Sequence, residues 1–259
     1  PWKYPTYTYQ PIQNKNSNSK RKLLSGFTFN IDPIGCKDID DVFTIEKMNN
    51  MEWKITITIS DVSSYVEDGD PIDIMASLIG QTLYDSNGKV IRPMLPEEYS
   101  EKKCSLCPEK ESYGLSLEFI WNGKEISNKK IFESIVITNR SYNYDEFMEE
   151  KSEYRDILRD IGCYLGGDEM DDSHKWVEQM MIYYNKEMGK ILKERNMGIL
   201  RRHSEPNREK LERYRGVVSE WMNLAYSSAE YCLGDEKETG HYGLETDHYA
   251  HCTSPIRRY

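Results

Sequence analysis

The hydrophobic pattern of this chain changes its period once, and that change constrains the fold most. From Phe27 to Ile137 the pattern is mostly that of strands, and residues 53–59 alternate apolar and polar side chains as a half-buried strand does. From Tyr144 onward, apolar residues recur at helical spacing instead. Strands followed by helices are typical of an α+β fold, so we expect β-sheets in the N-terminal half packed by long helices in the C-terminal half.

Two turn signals place hairpins among the strands. Asn49-Asn50 precedes the strand at 53–59 and predicts a hairpin with a strand at Phe43–Ile45. A second hairpin is predicted from two strand-like segments around an Asn-Gly turn, namely Leu115–Trp121, Asn122-Gly123 and Ile131–Ile137. The first half of the chain therefore supplies at least four strands that are joined in pairs.

The longest helical pattern lies between Trp176 and Leu192, where apolar residues recur at steps of three and four. Asp172 or Ser173 would cap the N-terminus of this helix. Trp and Met side chains on such a face are more typical of a protein core than of a ligand site. A further helix is predicted at about Glu209–Tyr231.

The net charge of -10 arises from 44 Asp and Glu residues against 34 Lys and Arg residues. As a bulk figure it argues against nucleic-acid binding, because phosphate contacts favour basic surfaces. The charge is segregated, however. Residues 145–172 hold eleven acidic and three basic residues, whereas residues 186–215 hold ten basic and five acidic ones. The distribution therefore stays compatible with an anionic ligand in a local basic region.

Neither a membrane span nor a secretory route is indicated. The chain has no apolar run that could cross a bilayer, and residues 1–10 lack the regions of a signal peptide. The six cysteines are scattered, which is typical of a reduced intracellular protein, with the cytoplasm favoured over the nucleus. Cys104 and Cys107 form one CxxC without a second pair, so packing is favoured over a zinc site.

Four aspartates within ten residues are the sharpest chemical feature: Asp32, Asp38, Asp40 and Asp41. Like charges at this spacing repel one another, and Mg²⁺ neutralises them well because it prefers carboxylate oxygens. Two such ions about 4 Å apart can serve phosphodiester hydrolysis. The spacing alone leaves two alternatives. One is a solvated acidic turn, and the other is a calcium loop, although the glycine and closing Glu of an EF-hand are misplaced.

The C-terminal segment Thr253–Tyr259 reads TSPIRRY. Two hydroxyls, a proline and two arginines suit an anion-binding turn, because the arginine fork matches phosphate geometry. Taken by itself, a basic surface turn is an equal alternative. The nearby histidines His241, His248 and His251 fit no standard zinc spacing and are interpreted as structural.

Together, the two motifs are more specific than either alone. IDPIGCKDIDD at 31–41 and HYGLETDHYAHCTSPIRRY at 241–259 resemble the ribonuclease II (RNB) family, which includes bacterial ribonucleases II and R and the exosome-associated Dis3 exonucleases. Between them, ISDVSSYVEDGDPID, IRPMLPEEYSEKKCSL and SIVITNRSYNYDEF resemble further stretches of that family. The likeness covers residues 27–259 as an RNB catalytic domain and leaves residues 1–26 as an incoming linker.

The resemblance implies processive 3′→5′ hydrolysis of single-stranded RNA to nucleoside 5′-monophosphates in a domain with a central RNA channel. It implies a two-metal site in which the four aspartates hold Mg²⁺, with Mn²⁺ as a substitute ion. Asp40 matches the aspartate most critical for catalysis, and Arg257 matches the arginine that helps to stabilise the transition state. Tyr144 matches the tyrosine that places the 3′-terminal nucleotide.

The resemblance also implies RNA contacts. Tyr84 matches the aromatic residue on which a base stacks, and Ser254 and Arg258 belong to the same anion-binding turn as Arg257. Arg201 stands where some bacterial members have a phenylalanine that clamps the terminal bases, and a guanidinium can also stack on a base. Ser219-Glu220 stands where many members have paired glutamates, which alters the expected ribose contact and leaves Glu220 as the RNA-binding candidate.

The OB-fold domains that flank the family's catalytic domain, two before and one after, have no counterpart here. We therefore expect a fragment truncated at its C-terminus. Two alternatives to the exonuclease remain, an RNA-binding relative without catalysis and a DNA-directed phosphodiesterase. Retention of all four aspartates favours an enzyme, and the 2′-OH is the group by which proteins tell RNA from DNA. No membrane partner is implied.

Overall fold

The computed structural model describes residues 21–86, 88–206 and 228–259. They belong to two compact units, one with the described chain up to Met180 together with Thr253–Tyr259, and the other within Met181–Cys252. The helices are α1 (Pro71–Ile79), α2 (Tyr144–Glu149), α3 (Glu153–Gly166) and α4 (Ser173–Glu194). The strands are β1 (Lys22–Leu23), β2 (Phe27–Ile31), β3 (Asp41–Lys47), β4 (Trp53–Ser60), β5 (Leu83–Tyr84), β6 (Val90–Arg92), β7 (Glu111–Trp121), β8 (Ile126–Ile137), β9 (Arg140–Tyr142), β10 (Ile199–Arg202) and β11 (Glu230–Leu233).

The first unit contains a seven-stranded mixed sheet, in the order β1-β8-β7-β4-β3-β2-β9. Its pairs are antiparallel except β1 with β8 and β2 with β9, which are parallel. Both predicted hairpins are confirmed, since β3 pairs with β4 and β7 pairs with β8. The second hairpin turns at Asn122-Gly123, where Gly123 has a φ of 84° that L side chains rarely adopt. β5 and β6 form a separate antiparallel ribbon.

Strand β4 is buried on both faces rather than on one. Its three isoleucines are at most 3% exposed, as the alternation predicts. Thr56 and Thr58 on the opposite face are 2% and 0% exposed, so the prediction of a half-buried strand is wrong. The hydroxyl of Thr58 can be buried because it has a partner, since Thr58 Oγ1 lies 2.7 Å from Ser116 Oγ on the neighbouring strand β7.

The apolar face of the sheet packs against the helices of the same unit. Phe29 on β2 stacks on Phe147 of α2 with ring centroids 5.3 Å apart, and Phe27 stacks on Tyr154 of α3 at 4.7 Å. Trp176 of α4 is completely buried, which confirms its interpretation as a core residue. Burial of aromatic rings dominates core energetics, so this interface fixes the helices on the sheet.

Polar side chains cap the starts of helices α2 and α4. Asn143 and Glu146 form a capping box at the start of α2. The Asp172 carboxylate accepts a hydrogen bond from the backbone N–H of His174 at 2.9 Å, so Asp172 rather than Ser173 caps α4. The predicted long helix is thereby confirmed.

In the second unit β10 and β11 form an antiparallel ribbon, in which Leu200 and Cys232 face each other and are buried against Ala250. The helix predicted at Glu209–Tyr231 falls largely outside the described residues. Its last two residues, Glu230 and Tyr231, lie in β11, so that end of the prediction is wrong. The strand is favoured there because its alternation directs Cys232 into the apolar cluster.

The seven-stranded sheet reaches into the range that the sequence predicts to be an incoming linker. Lys22–Leu23 lie in that range, form β1 and pair with β8.

Cys104 and Cys107 are free thiols that pack into two different apolar clusters, which favours packing over a zinc site. Among the helices of the described ranges, none is long and apolar enough to cross a membrane.

Candidate active site

The aspartate cluster lies in the connection between β2 and β3. β2 ends at Ile31, Asp32 follows it directly, and Asp41 begins β3. The chain turns at Pro33–Cys36, where the Cys36 N–H donates to the Pro33 carbonyl at 3.0 Å. Gly35 adopts a φ of 81° in this turn, a conformation that favours glycine. The turn brings the four carboxylates to one end of the sheet.

A short segment around Ser105 holds this loop in place. The Ser105 hydroxyl donates to the Lys37 carbonyl at 2.7 Å and accepts from the Ile39 N–H at 3.1 Å. The Leu106 N–H donates to the Ile39 carbonyl at 3.0 Å. Ser105 is completely buried, so these bonds are shielded from water. The loop conformation is therefore set from outside the loop itself.

Asp40 connects the loop to the C-terminal turn of the chain. Its Oδ2 accepts from Arg257 Nε at 2.7 Å, and its Oδ1 accepts from the Ile256 N–H at 2.8 Å. The Asp40 side chain is 1% exposed, whereas that of Arg257 is 38% exposed. The carboxylate therefore anchors one edge of the guanidinium while the rest of Arg257 reaches towards solvent.

The turn that carries Arg257 is fixed by its own backbone and by a neighbouring segment. The Arg258 N–H donates to the Ser254 carbonyl at 3.0 Å, and Ile256 is buried in an apolar cluster with Tyr99 and its neighbours. The Arg257 carbonyl accepts from the Thr82 N–H at 2.9 Å. The residues predicted to bind an anion, Ser254, Arg257 and Arg258, are thus brought to the segment that leads into β5.

Tyr84 on β5 contacts the cluster through its hydroxyl. The Tyr84 OH donates to Asp38 Oδ2 at 2.7 Å, and Cys36 Sγ donates to Asp38 Oδ1 at 3.6 Å. Burial and the hydrogen bond to Asp38 raise the pKa of Tyr84 above its ordinary value. The side chain is still 38% exposed, so a ring face remains accessible.

Tyr144 begins α2 beside the same carboxylates. Burial and the charges of Asp32 and Asp41 raise the pKa of Tyr144 to about 12. Its ring stacks on that of His174 with centroids 3.6 Å apart and planes 10° apart. The Tyr144 carbonyl accepts from the Ser173 hydroxyl at 3.0 Å. The contact with His174 has no signal in the sequence, where this histidine is an ordinary residue near a helix start.

The aspartate cluster carries excess negative charge in a buried environment. Burial raises the pKa of Asp40 to about 7, and Arg257 opposes that rise. Burial, and then the charges of Asp32 and Asp40, raise the pKa of Asp41 well above its ordinary value. Burial also raises the pKa of Asp32, with a further contribution from Asp38. Carboxylates so placed gain from a cation that neutralises them.

The donor set fits Mg²⁺ in its chemistry, since the four side chains offer hard carboxylate oxygens and more negative charge than Arg257 balances. Within the described ranges, no group of three or more His, Cys, Asp or Glu side chains is arranged as a metal site. Asp38 and Asp40 are directed instead to Tyr84 and Arg257. The candidates to hold Mg²⁺ remain Asp32, Asp38, Asp40 and Asp41, on the grounds of their carboxylate chemistry and their proximity in the loop, and not of a formed metal geometry.

Two further residues are predicted to contact RNA, Arg201 and Glu220. Arg201 belongs to the second unit, where its Nη1 lies 2.9 Å from His251 Nδ1 and its guanidinium lies over the Tyr231 ring at 5.7 Å from the centroid. Tyr231 is 57% exposed and has no signal in the sequence that marks it as a site residue. Glu220 lies outside the described residues.

A model of the RNB domain matches residues 20–156 and 214–259, well over half of the chain. The chain belongs to the RNB family. The match includes the aspartate loop and the TSPIRRY turn, which are the two motifs that carried the resemblance in the sequence.

Curated relatives in the RNB family include ribonucleases from bacteria and a plant. Ribonuclease R of Buchnera aphidicola subsp. Schizaphis graminum is 26% identical, over 96% of this chain and 45% of its own length. Exosome complex exonuclease RRP44 homolog A of Arabidopsis thaliana is 26% identical, over 100% of this chain and 35% of the exonuclease's own length. The chain thus spans less than half the length of these RNB relatives.

Solved RNB structures share the fold. One of them is the RNase R of Mycoplasma genitalium in complex with ribose-methylated single-stranded RNA. The match covers 98% of this chain and 51% of the RNase R chain, with a TM-score of 0.79 and 19% identity. Another is yeast Ssd1, a pseudonuclease. That match covers 93% of this chain and 39% of the Ssd1 chain, with a TM-score of 0.80 and 15% identity. The predicted α+β fold is confirmed, and RNB folds with and without nuclease activity are both among the neighbours.

Proposed function

We propose that this chain is the catalytic core of a 3′→5′ exoribonuclease that hydrolyses single-stranded RNA to nucleoside 5′-monophosphates. The observation that carries the proposal is the hydrogen bond between Asp40 and Arg257, which joins the acidic loop to the cationic turn. The names of the curated relatives, Ribonuclease R and exosome complex exonuclease, support the same activity. The RNase R complex supports single-stranded RNA as the ligand.

The carboxylates of Asp32, Asp38, Asp40 and Asp41 would hold two Mg²⁺ ions, with Mn²⁺ as a substitute. When bound, the ions would neutralise the buried charge of the loop, polarise the scissile phosphate and lower the pKa of water. The raised pKa values of Asp32 and Asp41 support this role, because both carboxylates favour a compensating cation.

Arg257 would contact the scissile phosphate with the outer part of its guanidinium. Asp40 accepts the Nε hydrogen and so fixes the plane of the group, and the exposed end offers amino groups to phosphate oxygens. Charge that develops on the phosphate in the transition state would be stabilised without any rearrangement of the arginine. Ser254 and Arg258 on the same turn would contact the neighbouring backbone.

The two tyrosines would hold the end of the RNA in a central channel. Tyr84 would stack on a base with its exposed ring while its hydroxyl stays on Asp38. Tyr144 would place the 3′-terminal nucleotide with the ring face that His174 does not cover. Arg201 and Glu220 are proposed as further RNA contacts.

The proposal is tested with a 5′-labelled single-stranded RNA and an all-DNA strand of the same sequence. Progressive shortening of the RNA from its 3′ end, with nucleoside 5′-monophosphates as the product and with a requirement for Mg²⁺, is the expected result. Equal degradation of the DNA strand would favour a DNA-directed phosphodiesterase. Retained RNA binding without any cleavage would place the chain with the pseudonucleases and overturn the proposal.

A further inference from the structure

A buried amide lies between the aspartate loop and the edge of the sheet. Asn30 on β2 donates from Nδ2 to Asp32 Oδ2 at 2.8 Å, and its Oδ1 accepts from the Ser141 hydroxyl at 2.6 Å. Asn30 is 1% exposed, whereas Ser141 lies on the exposed edge strand β9. The three side chains form one directional series, Ser141 to Asn30 to Asp32.

This series is not needed to hold the two strands together. β2 and β9 are paired through their backbones, with Asn30 opposite Ser141 in the register. Two further backbone bonds flank the pair, from the Asp32 N–H to the Tyr142 carbonyl at 3.1 Å and from the Asn139 N–H to the Thr28 carbonyl at 2.8 Å. The side-chain bonds of Asn30 are therefore additional to the pairing, and they end on a proposed metal ligand.

The geometry points to Asn30 as a positioning residue that orients the Asp32 carboxylate for divalent-cation binding, with Ser141 fixing the orientation of the Asn30 amide. This inference rests on the proposed function, in which Asp32 is a Mg²⁺ ligand. It deepens that proposal by assigning a role to two residues that the sequence did not single out as site residues.

The physical basis is the asymmetry of the amide. An Asn side chain carries a donor at one end and an acceptor at the other, and the Ser141 hydroxyl donates to Oδ1, so Nδ2 is the end that faces Asp32. The bond occupies one carboxylate oxygen and limits rotation of the group. Outer partners of this kind commonly contribute about 10- to 100-fold to metal affinity or activity.

Two other carboxylates of the loop, Asp38 and Asp40, have their own anchors. Asp38 is held by Tyr84, and Asp40 is held by Arg257 and the Ile256 N–H. Asn30 supplies the corresponding anchor for Asp32. Because Asn30 is buried, a substitution that removes its N–H leaves Asp32 Oδ2 without that donor.

The experiment measures Mg²⁺ binding by titration calorimetry on protein stripped of metal with EDTA, so the readout is independent of cleavage. The variants are Asn30→Ala and Ser141→Ala. The matched control is Asn139→Ala, because the Asn139 Oδ1 also accepts a bond on β2, from the Thr28 N–H at 2.8 Å, but does not touch Asp32. Folding of each variant is checked by circular dichroism.

Asn30→Ala is expected to weaken Mg²⁺ binding about ten-fold. Ser141→Ala should weaken it by a smaller factor, and Asn139→Ala should leave it unchanged. The Mg²⁺ concentration for half-maximal RNA cleavage should rise in the same order, and excess Mg²⁺ should restore the rate of Asn30→Ala. A purely structural role would not give such rescue.

Wild-type Mg²⁺ affinity in a folded Asn30→Ala protein would overturn the inference. If Asn30→Ala fails to fold, Ser141→Ala carries the test, since it alters an exposed position, and wild-type affinity in that variant would have the same consequence. A wild-type protein that neither binds Mg²⁺ nor cleaves RNA would instead overturn the proposed function. An active wild type with unaffected variants would overturn the role of Asn30 alone.

Discussion

Arg257 Nε donates to Asp40 Oδ2 at 2.7 Å across a separation of 217 residues. This bond places the acidic loop after β2 against the turn near the end of the described chain. Because the partner on the acidic side is almost completely buried, the guanidinium is fixed in position and orientation. The proposed chemistry depends on this arrangement more than on any other single contact.

Arg257→Lys should slow RNA cleavage strongly although the charge is kept. A lysine ammonium is a point charge and cannot bond Asp40 through one edge while it presents a planar fork to phosphate through the other. We expect a loss of about 100-fold in the single-turnover rate. Arg159→Lys on α3 is the matched control, because Arg159 pairs with Asp160 on the helix surface. Equal rates for wild type and Arg257→Lys would contradict the proposed role.

Two substitutions at Tyr84 should separate its ring from its hydroxyl. Tyr84→Phe keeps the ring and removes the donor to Asp38, so RNA affinity should be kept while more Mg²⁺ is needed for cleavage. Tyr84→Ala also removes the stacking surface, which contributes about 1–3 kcal/mol per base, and should raise the Kd for RNA roughly 5- to 150-fold. Filter binding in EDTA measures the affinity. Identical behaviour of the two variants would refute the division of roles.

Asp61→Asn should lower stability in a pH-dependent way. Burial opposes ionisation of Asp61, but hydrogen bonds from Ser63, Ser64 and Arg21 outweigh it and lower the pKa of this carboxyl below its ordinary value. A depressed folded-state pKa gives stability that is present above the unfolded value near 3.9 and is lost as the pH falls through the folded value.

Urea denaturation at several pH values tests this prediction. At pH 7 the Asp61→Asn variant should be less stable than wild type by about 1–3 kcal/mol, as expected for a hydrogen-bonded charged group. The difference should shrink as the pH is lowered below about 4. Asp160→Asn is the exposed control, for which we expect a change within about 0.5 kcal/mol. If the difference in unfolding free energy between Asp61→Asn and wild type stayed constant across the pH range, ionised Asp61 would not be the stabilising partner of Arg21.

Gly114→Ala should destabilise the sheet, because an added Cβ would lie 2.2 Å from Thr58 Cγ2 and 3.0 Å from the Ile59 carbonyl oxygen. Overpacking of this kind commonly costs about 1–3 kcal/mol. Thr58→Ser removes the conflicting methyl group and keeps the hydroxyl, so the double variant should regain part of the loss. Thermal unfolding of the four proteins measures the coupling, and strict additivity would argue against the contact.

The sequence predicted the parts of the fold that repeat a simple period. Both hairpins and the long helix followed from alternation, turn residues and helical spacing, and the cap of that helix was narrowed to Asp172 or Ser173. The burial of Thr56 and Thr58 did not, because a polar side chain in alternation indicates solvent unless its hydroxyl partners on other strands are known. The strand at Glu230 was likewise hidden, since its pairing with β10 is a tertiary contact.

The site was predictable only through its motifs. The four aspartates stand together in the sequence, and Arg257 was assigned through the resemblance of the TSPIRRY turn. Asn30 and Ser141 carried no signal, because their relation to Asp32 depends on the parallel register of β2 and β9. Long-range register of this kind is fixed by packing and has no local pattern in the chain.

The most direct test of the account compares wild type with Asp40→Asn in single-turnover cleavage of a 3′-labelled single-stranded RNA at saturating Mg²⁺, with RNA affinity measured separately in EDTA. We expect Mg²⁺-dependent release of the terminal nucleoside 5′-monophosphate by wild type. Asp40→Asn should cleave at least about 100-fold more slowly and bind RNA almost unchanged. Cleavage by Asp40→Asn at the wild-type rate would contradict the central claim.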